Sequence, residues 1–319
     1  MNIRGFLLIL LMSSVVYSEE NFGIVVHGGA GVMTGLSDER QQQIHKKIQE
    51  SVSKAYSILE KGGSSLDAVE IAVSILEDSP LFNAGKGSVY NSDEVQEMDA
   101  SIMEGKNRLS GAVASVSVVK NPIKLARKVA EETKHVLLVG EGAERFAKDI
   151  GVDIVDRDYF YDKDRLQRLL NSKQKITKLD QHSDKIGTVG AVALDIYGNI
   201  SAATSTGGMT NKMPGRVGDS PIIGSGTWAQ NGVCGVSSTG HGEYFIKYQV
   251  AREVCVRMEY LNRTLTDSAE SVIEELKNIN ASGGLISIDS VGNISTPFNT
   301  KGMIRGSKTN KTDLKSEIY

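Results

Sequence analysis

Apolar positions along the chain switch repeatedly between a period of two and a helical period, which predicts alternating strands and helices. Gly23-Ile24-Val25-Val26 reads as a short buried strand that runs straight into the glycine-rich turn His27-Gly28-Gly29-Ala30-Gly31. Ser37 to Lys61 reads as a helix that stops at Gly62-Gly63. A second helix opens at the Ser64-x-x-Asp67 capping pattern and brings Ala68, Val69, Ala72, Val73 and Leu76 onto one face. Strand-like runs follow at Met98 to Met103 and Gly111 to Val119. Pro122 to Thr133 and Glu141 to Ile150 then read as helices, with His135 to Val139 between them.

From Val152 to Ile186 neither period persists. Charges, Ser, Gln and Asn dominate apart from a short helical stretch near Leu166, so 152–187 reads as a mobile linker. The character then changes abruptly. Gly187-Thr188-Val189-Gly190-Ala191-Val192-Ala193-Leu194 is a buried strand, Ile196 to Asn199 a hairpin turn, and Ile200 to Thr206 the returning strand. A second hairpin, Leu285 to Ser295, shares the pattern Asp-x-x-Gly-Asn-Ile-Ser with the first, while Glu243 to Leu261 and Ser268 to Ile279 read as helices. Two sheets covered by outer helices are the simplest assembly of these parts: an α+β fold built as a four-layer αββα sandwich.

The first residues change the picture of the chain's destination. A positive start at Arg4, an apolar stretch from Phe6 to Met12 and the small-residue site Val16-Tyr17-Ser18 read as a signal peptide over 1–18, cut after Ser18. The apolar run is shorter than the roughly 20 residues of a spanning helix. The expectation is an exported protein, periplasmic or secreted, with no membrane span in its mature form. The 36 basic residues stand against 39 acidic ones without any basic run interleaved with aromatics, which argues against nucleic acid as a partner. Cys234 and Cys255 have no zinc spacing. They read either as a bridge, which export would permit, or as two small core residues.

The chain contains no HExxH, no GxxxxGK[ST] and no EF-hand loop, so hydrolysis without a catalytic cofactor gains weight. One candidate is a serine triad of Ser205, Asp219 and His241, with His27-Gly28-Gly29-Ala30 as an oxyanion loop; its members are crowded together without the strands and helices of an α/β-hydrolase. A threonine nucleophile fits better. A hydroxyl needs a base beside it, and an N-terminal Thr brings its own, an α-amine of pKa about 7.7–8.0. Exposing that amine requires the chain to be cut. A flexible approach, a small residue before the Thr and a rigid strand after it are all present at Asp184 to Gly190.

Around this point the sequence resembles the plant-type L-asparaginase / isoaspartyl peptidase family of N-terminal nucleophile hydrolases. The stretches concerned are Val26 to Gly31, Leu81 to Gly87, Met98 to Ser101, Gly187 to Gly190, Thr204 to Gly208, Gly215 to Pro221 and Thr239 to Glu243. The resemblance implies autocleavage between Gly187 and Thr188. It would leave an α subunit, 19–187, and a β subunit, 188–319, within one fold, and two such units would pair as a dimer. Thr188 would then be the nucleophile and general base, with Thr206 beside its hydroxyl and Thr239 and Gly240 as the oxyanion hole. Arg216 and Asp219 would hold the substrate's carboxylate and ammonium, assisted by Gly242 and Asn83.

The implied substrates are L-asparagine and β-aspartyl (isoaspartyl) dipeptides, releasing L-aspartate. No cofactor is implied for catalysis. A structural sodium ion is implied, wrapped by backbone carbonyls of Leu76, Glu77, Ser79, Phe82, Ala84 and Lys86. His241 stands at the variable position of Thr-Gly-x-Gly, and Ala30 interrupts a run that is longer in glycine in some relatives. Two alternatives remain: a glycosylasparaginase, whose cut site has Asp where Gly187 stands, and a catalytically silent amino-acid-binding protein.

Overall fold

The structure is a computed structural model that describes residues 20–31, 33, 35–174 and 187–319. The leader read over 1–18 and the linker residues 175–186 lie outside the described residues. In chain order the first half comprises β1 (Gly23–Gly31), α1 (Asp38–Glu60), α2 (Ser65–Glu77), β2 (Met98–Glu104), β3 (Ser110–Val116), α3 (Pro122–Glu132), β4 (Leu137–Val139), α4 (Gly140–Asp149) and α5 (Lys163–Gln174). After Gly187 come β5 (Val189–Leu194), β6 (Ile200–Thr206), β7 (Thr227–Gln230), β8 (Cys234–Gly240), α6 (Gly242–Tyr248), α7 (Val250–Leu261), α8 (Leu265–Asn278), β9 (Gly283–Asp289), β10 (Ile294–Ser295), β11 (Gly302–Thr309) and β12 (Thr312–Glu317).

One sheet has eight strands in the order β12-β11-β1-β5-β6-β2-β3-β4; the other has four, β10-β9-β8-β7. All neighbours run antiparallel except β3 and β4. The period of two in the central strands feeds two separate cores. Ile24, Val26, Val189 and Ala191 face α1, α2 and α3, while Val25, Val192 and Leu194 face the smaller sheet and, beyond it, α7 and α8. Strands buried on both faces must be apolar on both, which is why β1 and β5 read as nearly continuous apolar runs. The result is the αββα sandwich, with β5 in the middle of the larger sheet.

Local signals set most boundaries. Ser37 and Ser64 cap α1 and α2 by accepting from Arg40 N and Asp67 N. α1 ends in a Schellman turn, with Gly62 N on Leu59 O, Gly63 N on Ile58 O, and Gly62 at φ 79°. In both hairpins an aspartate closes the turn: Asp195 Oδ1 accepts from Tyr197 N and Asn199 N, and Asp289 Oδ1 from Val291 N and Asn293 N.

Three expectations need correction. Val152 to Gln174 is not an irregular linker: Ile154 bridges to Val119, Arg157–Phe160 forms a 3-10 turn that buries Phe160, and α5 follows. Its anchors are a few residues, Phe160 and Leu169, set in a polar stretch that shows no period. Glu243 to Leu261 is not one helix. Gln249 turns left-handed at φ 50°, and the first free N–H groups of α7, at Ala251 and Arg252, are taken by Ser225 O and Gly224 O. Finally, the patterning does not predict β7, β11 or β12; β12 is a charged edge strand, Thr-Asp-Leu-Lys-Ser-Glu, whose polarity guards the sheet edge and hides its period.

Cys234 of β8 and Cys255 of α7 are joined by a disulfide, which decides between the two cysteine readings. With 21 residues of sequence separation, this cross-link restricts the unfolded chain. Replacing both with alanine should lower the unfolding free energy by about 3 kcal/mol, read as a lower denaturant midpoint with a somewhat steeper slope, since the released unfolded chain exposes more surface.

Candidate active site

Thr188 stands just before β5, where neighbouring strands converge on it. Val189 pairs with Ser205, so Thr188 falls opposite Thr206, and its Oγ1 donates to Thr206 Oγ1 at 3.1 Å. Thr206 Oγ1 also accepts from Gly208 N at 3.0 Å, which leaves it an acceptor fixed in place. Thr188 is 8% exposed.

The residue before it is walled in. A Cβ on Gly187 would lie 2.7 Å from Thr239 Oγ1 and 3.3 Å from Ala30 O, and a Cβ on Gly29, at φ 106°, would lie 2.5 Å from Gly187 N and O. Only glycine satisfies both sides of this contact. Ala30 N donates to Thr239 Oγ1 at 3.3 Å. This is a backbone service that any residue at 30 supplies, so the alanine in the glycine run removes nothing. Thr239 closes β8 with Gly240 next to it; a Cβ on Gly240 would strike Ser282 O at 2.6 Å. The Gly187–Thr188 bond is thereby held between the end of β1 and the end of β8; His27 to Gly31, expected as a glycine-rich turn, continues the strand past a bulge between His27 and Gly29 and pairs with β11.

Behind the nucleophile lies a buried polar chain between the two sheets. His27 Nε2 meets Ser237 Oγ at 3.0 Å, Ser237 Oγ meets Thr204 Oγ1 at 2.7 Å, Thr227 Oγ1 donates to Thr204 Oγ1 at 2.6 Å, and Ser101 Oγ donates to Thr227 Oγ1 at 2.8 Å. Burial pushes the His27 pKa down to about 3, against the opposing pull of the Thr188 backbone, so its imidazole is neutral and does not serve as a proton carrier at neutral pH. Sequence patterning gives His27 no role of its own behind a threonine nucleophile. The available signal is a polar residue that ends a run of apolar ones and faces the glycine of Thr188-Val189-Gly190 across the β1–β5 ladder.

The substrate-grip candidates lie at the start of α6. Arg216 reaches Glu243 Oε1 through Nε at 3.0 Å and Nη2 at 2.8 Å. Asp219 is 4% exposed; burial pushes its pKa up to about 7 against its own backbone N–H and the Arg216 charge, and its Oδ2 has no hydrogen-bond partner among the described residues. Gly242 fits between the two, since a Cβ there would sit 2.9 Å from Arg216 Nη2 and 3.0 Å from Asp219 Oδ1. A guanidinium and a buried carboxyl with an unpartnered oxygen, separated by the width of a glycine, match the two charged groups of an α-amino acid.

Asn83 does not present its amide to that space. Its Nδ2 donates to Gly208 O at 2.7 Å and its Oδ1 accepts from Val89 N at 3.1 Å, so it fixes the turn after Thr206. The serine triad does not assemble either. Ser205 points to the opposite face of β6 and donates to Glu77 Oε1 at 2.6 Å, while His241 Nε2 lies 3.5 Å from Glu243 Oε2.

At the end of α2 the carbonyls of the loop turn inward: a Cβ on Gly85 would strike Glu77 O, and one on Gly87 would strike Phe82 O and Pro80 O. Of the six carbonyls implied as sodium ligands, Glu77 O and Phe82 O thus lie against glycines, while Leu76 O and Ala84 O accept from Ser79 N and Gly87 N. Among the described residues no group of three or more His, Cys, Asp or Glu side chains is placed to hold a metal.

A sequence model of the family described as Asparaginase matches residues 20–317. The isoaspartyl peptidase of Escherichia coli (strain K12) is 45% identical over 292 residues, 88% of this chain and 91% of that protein. The isoaspartyl peptidase/L-asparaginase of Bos taurus is 42% identical, covering 88% of this chain and 91% of its own. That of Homo sapiens is 44% identical, covering 84% and 87%.

Proposed function

Since the chain belongs to the asparaginase family, we propose that it cuts itself before Thr188 and then hydrolyses L-asparagine and β-aspartyl peptides to L-aspartate. The observation that carries this reading is the Thr188 hydroxyl bonded to Thr206 Oγ1 directly after a glycine that Thr239 and the bulged end of β1 enclose. In maturation the Thr188 hydroxyl attacks the Gly187 carbonyl, the Gly187–Thr188 C–N bond breaks to free the α-amine and leave an ester on Oγ1, and water hydrolyses that ester to release the Gly187 carboxylate. In turnover that amine takes the hydroxyl proton as Oγ1 attacks the side-chain carbonyl of the substrate. Thr239 and Gly240 donate to the developing oxyanion, the protonated amine gives its proton to the departing ammonia or peptide amine, and water releases aspartate.

Arg216 holds the α-carboxylate and Asp219 the α-ammonium, while Gly242 keeps the space between them open. The Leu76, Glu77, Ser79, Phe82, Ala84 and Lys86 carbonyls would hold a sodium ion that stiffens the loop bearing Asn83. Export is supported by the Cys234–Cys255 disulfide, which an oxidising compartment preserves. Pairing of two processed units into a dimer is supported by the apolar edge at β4, where Val136 and Val139 are about half exposed. The Escherichia coli and Bos taurus relatives are named isoaspartyl peptidases, and Gly187 replaces the Asp of a glycosylasparaginase cut, so that alternative is set aside.

The test is an SDS gel of purified active protein with N-terminal sequencing. Two bands are expected, one beginning Thr-Val-Gly-Ala, together with hydrolysis of asparagine. A single full-length band with full activity would refute the mechanism.

The pH dependence should separate two groups. Below pH 7 Asp219 carries a proton and offers the substrate ammonium no charge; as pH rises through about 7 it ionises. The KM for asparagine should therefore fall roughly tenfold between about pH 6 and pH 8, whereas kcat should follow the Thr188 amine near its reference pKa of about 7.7–8.0. Asp219→Asn should raise KM and abolish its pH dependence. A parent KM that is flat across this range would count against Asp219 as the ammonium site.

A further inference from the structure

Asparagine followed two places on by serine or threonine is the acceptor pattern for N-linked carbohydrate, and it occurs at Asn199, Asn262, Asn280, Asn293 and Asn310. All of these lie after Thr188, and 19–187 contains none. The fold divides them into two groups. Asn199, Asn293 and Asn310 have their side-chain amides built into turns. Asn199 Oδ1 accepts from Asn231 Nδ2 at 2.9 Å, Asn293 Nδ2 donates to Asp289 Oδ2 at 2.8 Å, and Asn310 Nδ2 donates to Glu20 O at 3.1 Å while its Oδ1 accepts from Phe22 N at 3.3 Å. A bulky group on any of these amides would force its turn open.

Asn262 and Asn280 are placed differently. Both are exposed, at the end of α7 and just past the end of α8, and both are left-handed at φ 52° and 57°. Neither side-chain amide has a hydrogen-bond partner among the described residues. Asparagine tolerates this conformation, so the helix ends account for the two asparagines but not for the hydroxyls that follow. Thr264 has a second use as the N-cap of α8, whereas Ser282 caps no helix. Beside Asn262, Tyr260 and Leu261 are 68% and 57% exposed, an apolar patch that a hydrophilic chain on the next residue would cover.

We infer that Asn262 and Asn280 carry N-linked glycans and that the other three acceptor patterns stay bare. In the transfer, Nδ2 displaces polyprenyl diphosphate from the anomeric carbon of a lipid-linked oligosaccharide: the N–C bond forms as the C–O bond to phosphate breaks, and one amide proton leaves. The transferase of the secretory route supplies catalyst and donor. Attachment precedes folding, so the fold selects afterwards: a sugar on a turn amide prevents that turn from closing, while the ends of α7 and α8 leave it in solvent. The inference rests on the proposed export, since the donor is met only on that route, and it is independent of the chemistry at Thr188.

The experiment produces the full chain in insect cells in two forms, one with its own residues 1–18 and one with an established secretion leader in their place, and collects both from the medium. A glycan-releasing amidase, which converts a sugar-bearing Asn to Asp, is applied and the products are read on an SDS gel and by peptide mass spectrometry. The fragment beginning at Thr188 is expected to run above its sequence mass and to fall to it on treatment, while the fragment before it does not shift. Asp is expected at 262 and 280, and Asn at 199, 293 and 310. Thr264→Asp and Ser282→Ala each break one acceptor pattern and keep the asparagine in its left-handed turn, and Asp still caps α8. Each should remove one of the two mobility steps and leave the circular dichroism spectrum unchanged.

A secreted chain without a mobility shift would overturn the inference, as would Asn retained at 262 or 280, or Asp found at 199, 293 or 310. If only the form with the substituted leader reaches the medium, the export reading fails and this inference with it. A chain that shifts but is not cut supports the inference and overturns the cleavage reading instead.

Discussion

Thr188→Ala is expected to leave the chain uncut and to lower asparagine hydrolysis on the order of 10⁴-fold or more, because one substitution removes the attacking hydroxyl from both reactions. The buried pair with Thr206 Oγ1 would be lost too, but Thr206 keeps Gly208 N as a partner, so the fold should survive. A thermal transition close to that of an uncut parent chain would establish that point. Thr188→Ser separates the roles further. It retains the hydroxyl and loses only the methyl group that stiffens χ1, so it should be cut more slowly and keep part of its activity. Hydrolysis should track the processed fraction across the series. If the uncut Thr188→Ala protein works at the parent rate, the nucleophile lies elsewhere.

The second large effect belongs to Thr239. Thr239→Val preserves the β-branched shape at the end of β8 but deletes the hydroxyl that faces Gly187 and, in the proposed turnover, the oxyanion. Loss of one such donor costs roughly 10²–10³ in kcat, about 3–4 kcal/mol, with little change in KM. Maturation should slow as well, because the same oxygen lies at the Gly187–Thr188 bond. Ala30 N would lose its acceptor, which destabilises the precursor by about 1–3 kcal/mol. Processed Thr239→Val, isolated and assayed with saturating asparagine, gives the decisive number. A kcat equal to the parent's would remove Thr239 from the oxyanion hole.

These two residues differ in how far the chain itself announces them. Thr188 is legible because cutting chemistry demands a local pattern: a small residue, a hydroxyl and then a strand. Thr239 is a Thr-Gly at a strand end, and composition alone does not distinguish it from any turn. Family resemblance makes it a candidate, and its meaning comes from the side chain lying against Gly187, which is 52 positions earlier in the sequence. Arg216 and Asp219 share one loop and are legible together. Their neighbour Glu243 closes the Thr239 to Glu243 stretch without a role that can be read there, since nothing local tells which carboxylate an arginine will meet.

What the sequence determined by itself is therefore whatever short-range physics fixes. Serine caps and the Gly62-Gly63 stop set α1 and α2, short apolar and β-branched runs bounded by turn residues set β1, β2, β5 and β6, and the two Asp-x-x-Gly-Asn turns set the hairpins. Tertiary structure decided the rest, because those choices depend on partners distant in the chain. Gln249 breaks a helix where loop carbonyls at 224–225 offer better partners for α7, and β12 is a strand only because β11 pairs with it. Cys234 and Cys255 form a bond only because β8 and α7 pack together. Asn83 turns its amide to backbone instead of to solvent. Glycine at 187 illustrates both levels: the sequence asks for a small residue before the threonine, and the packed Thr239 hydroxyl and Ala30 carbonyl exclude every side chain larger than hydrogen.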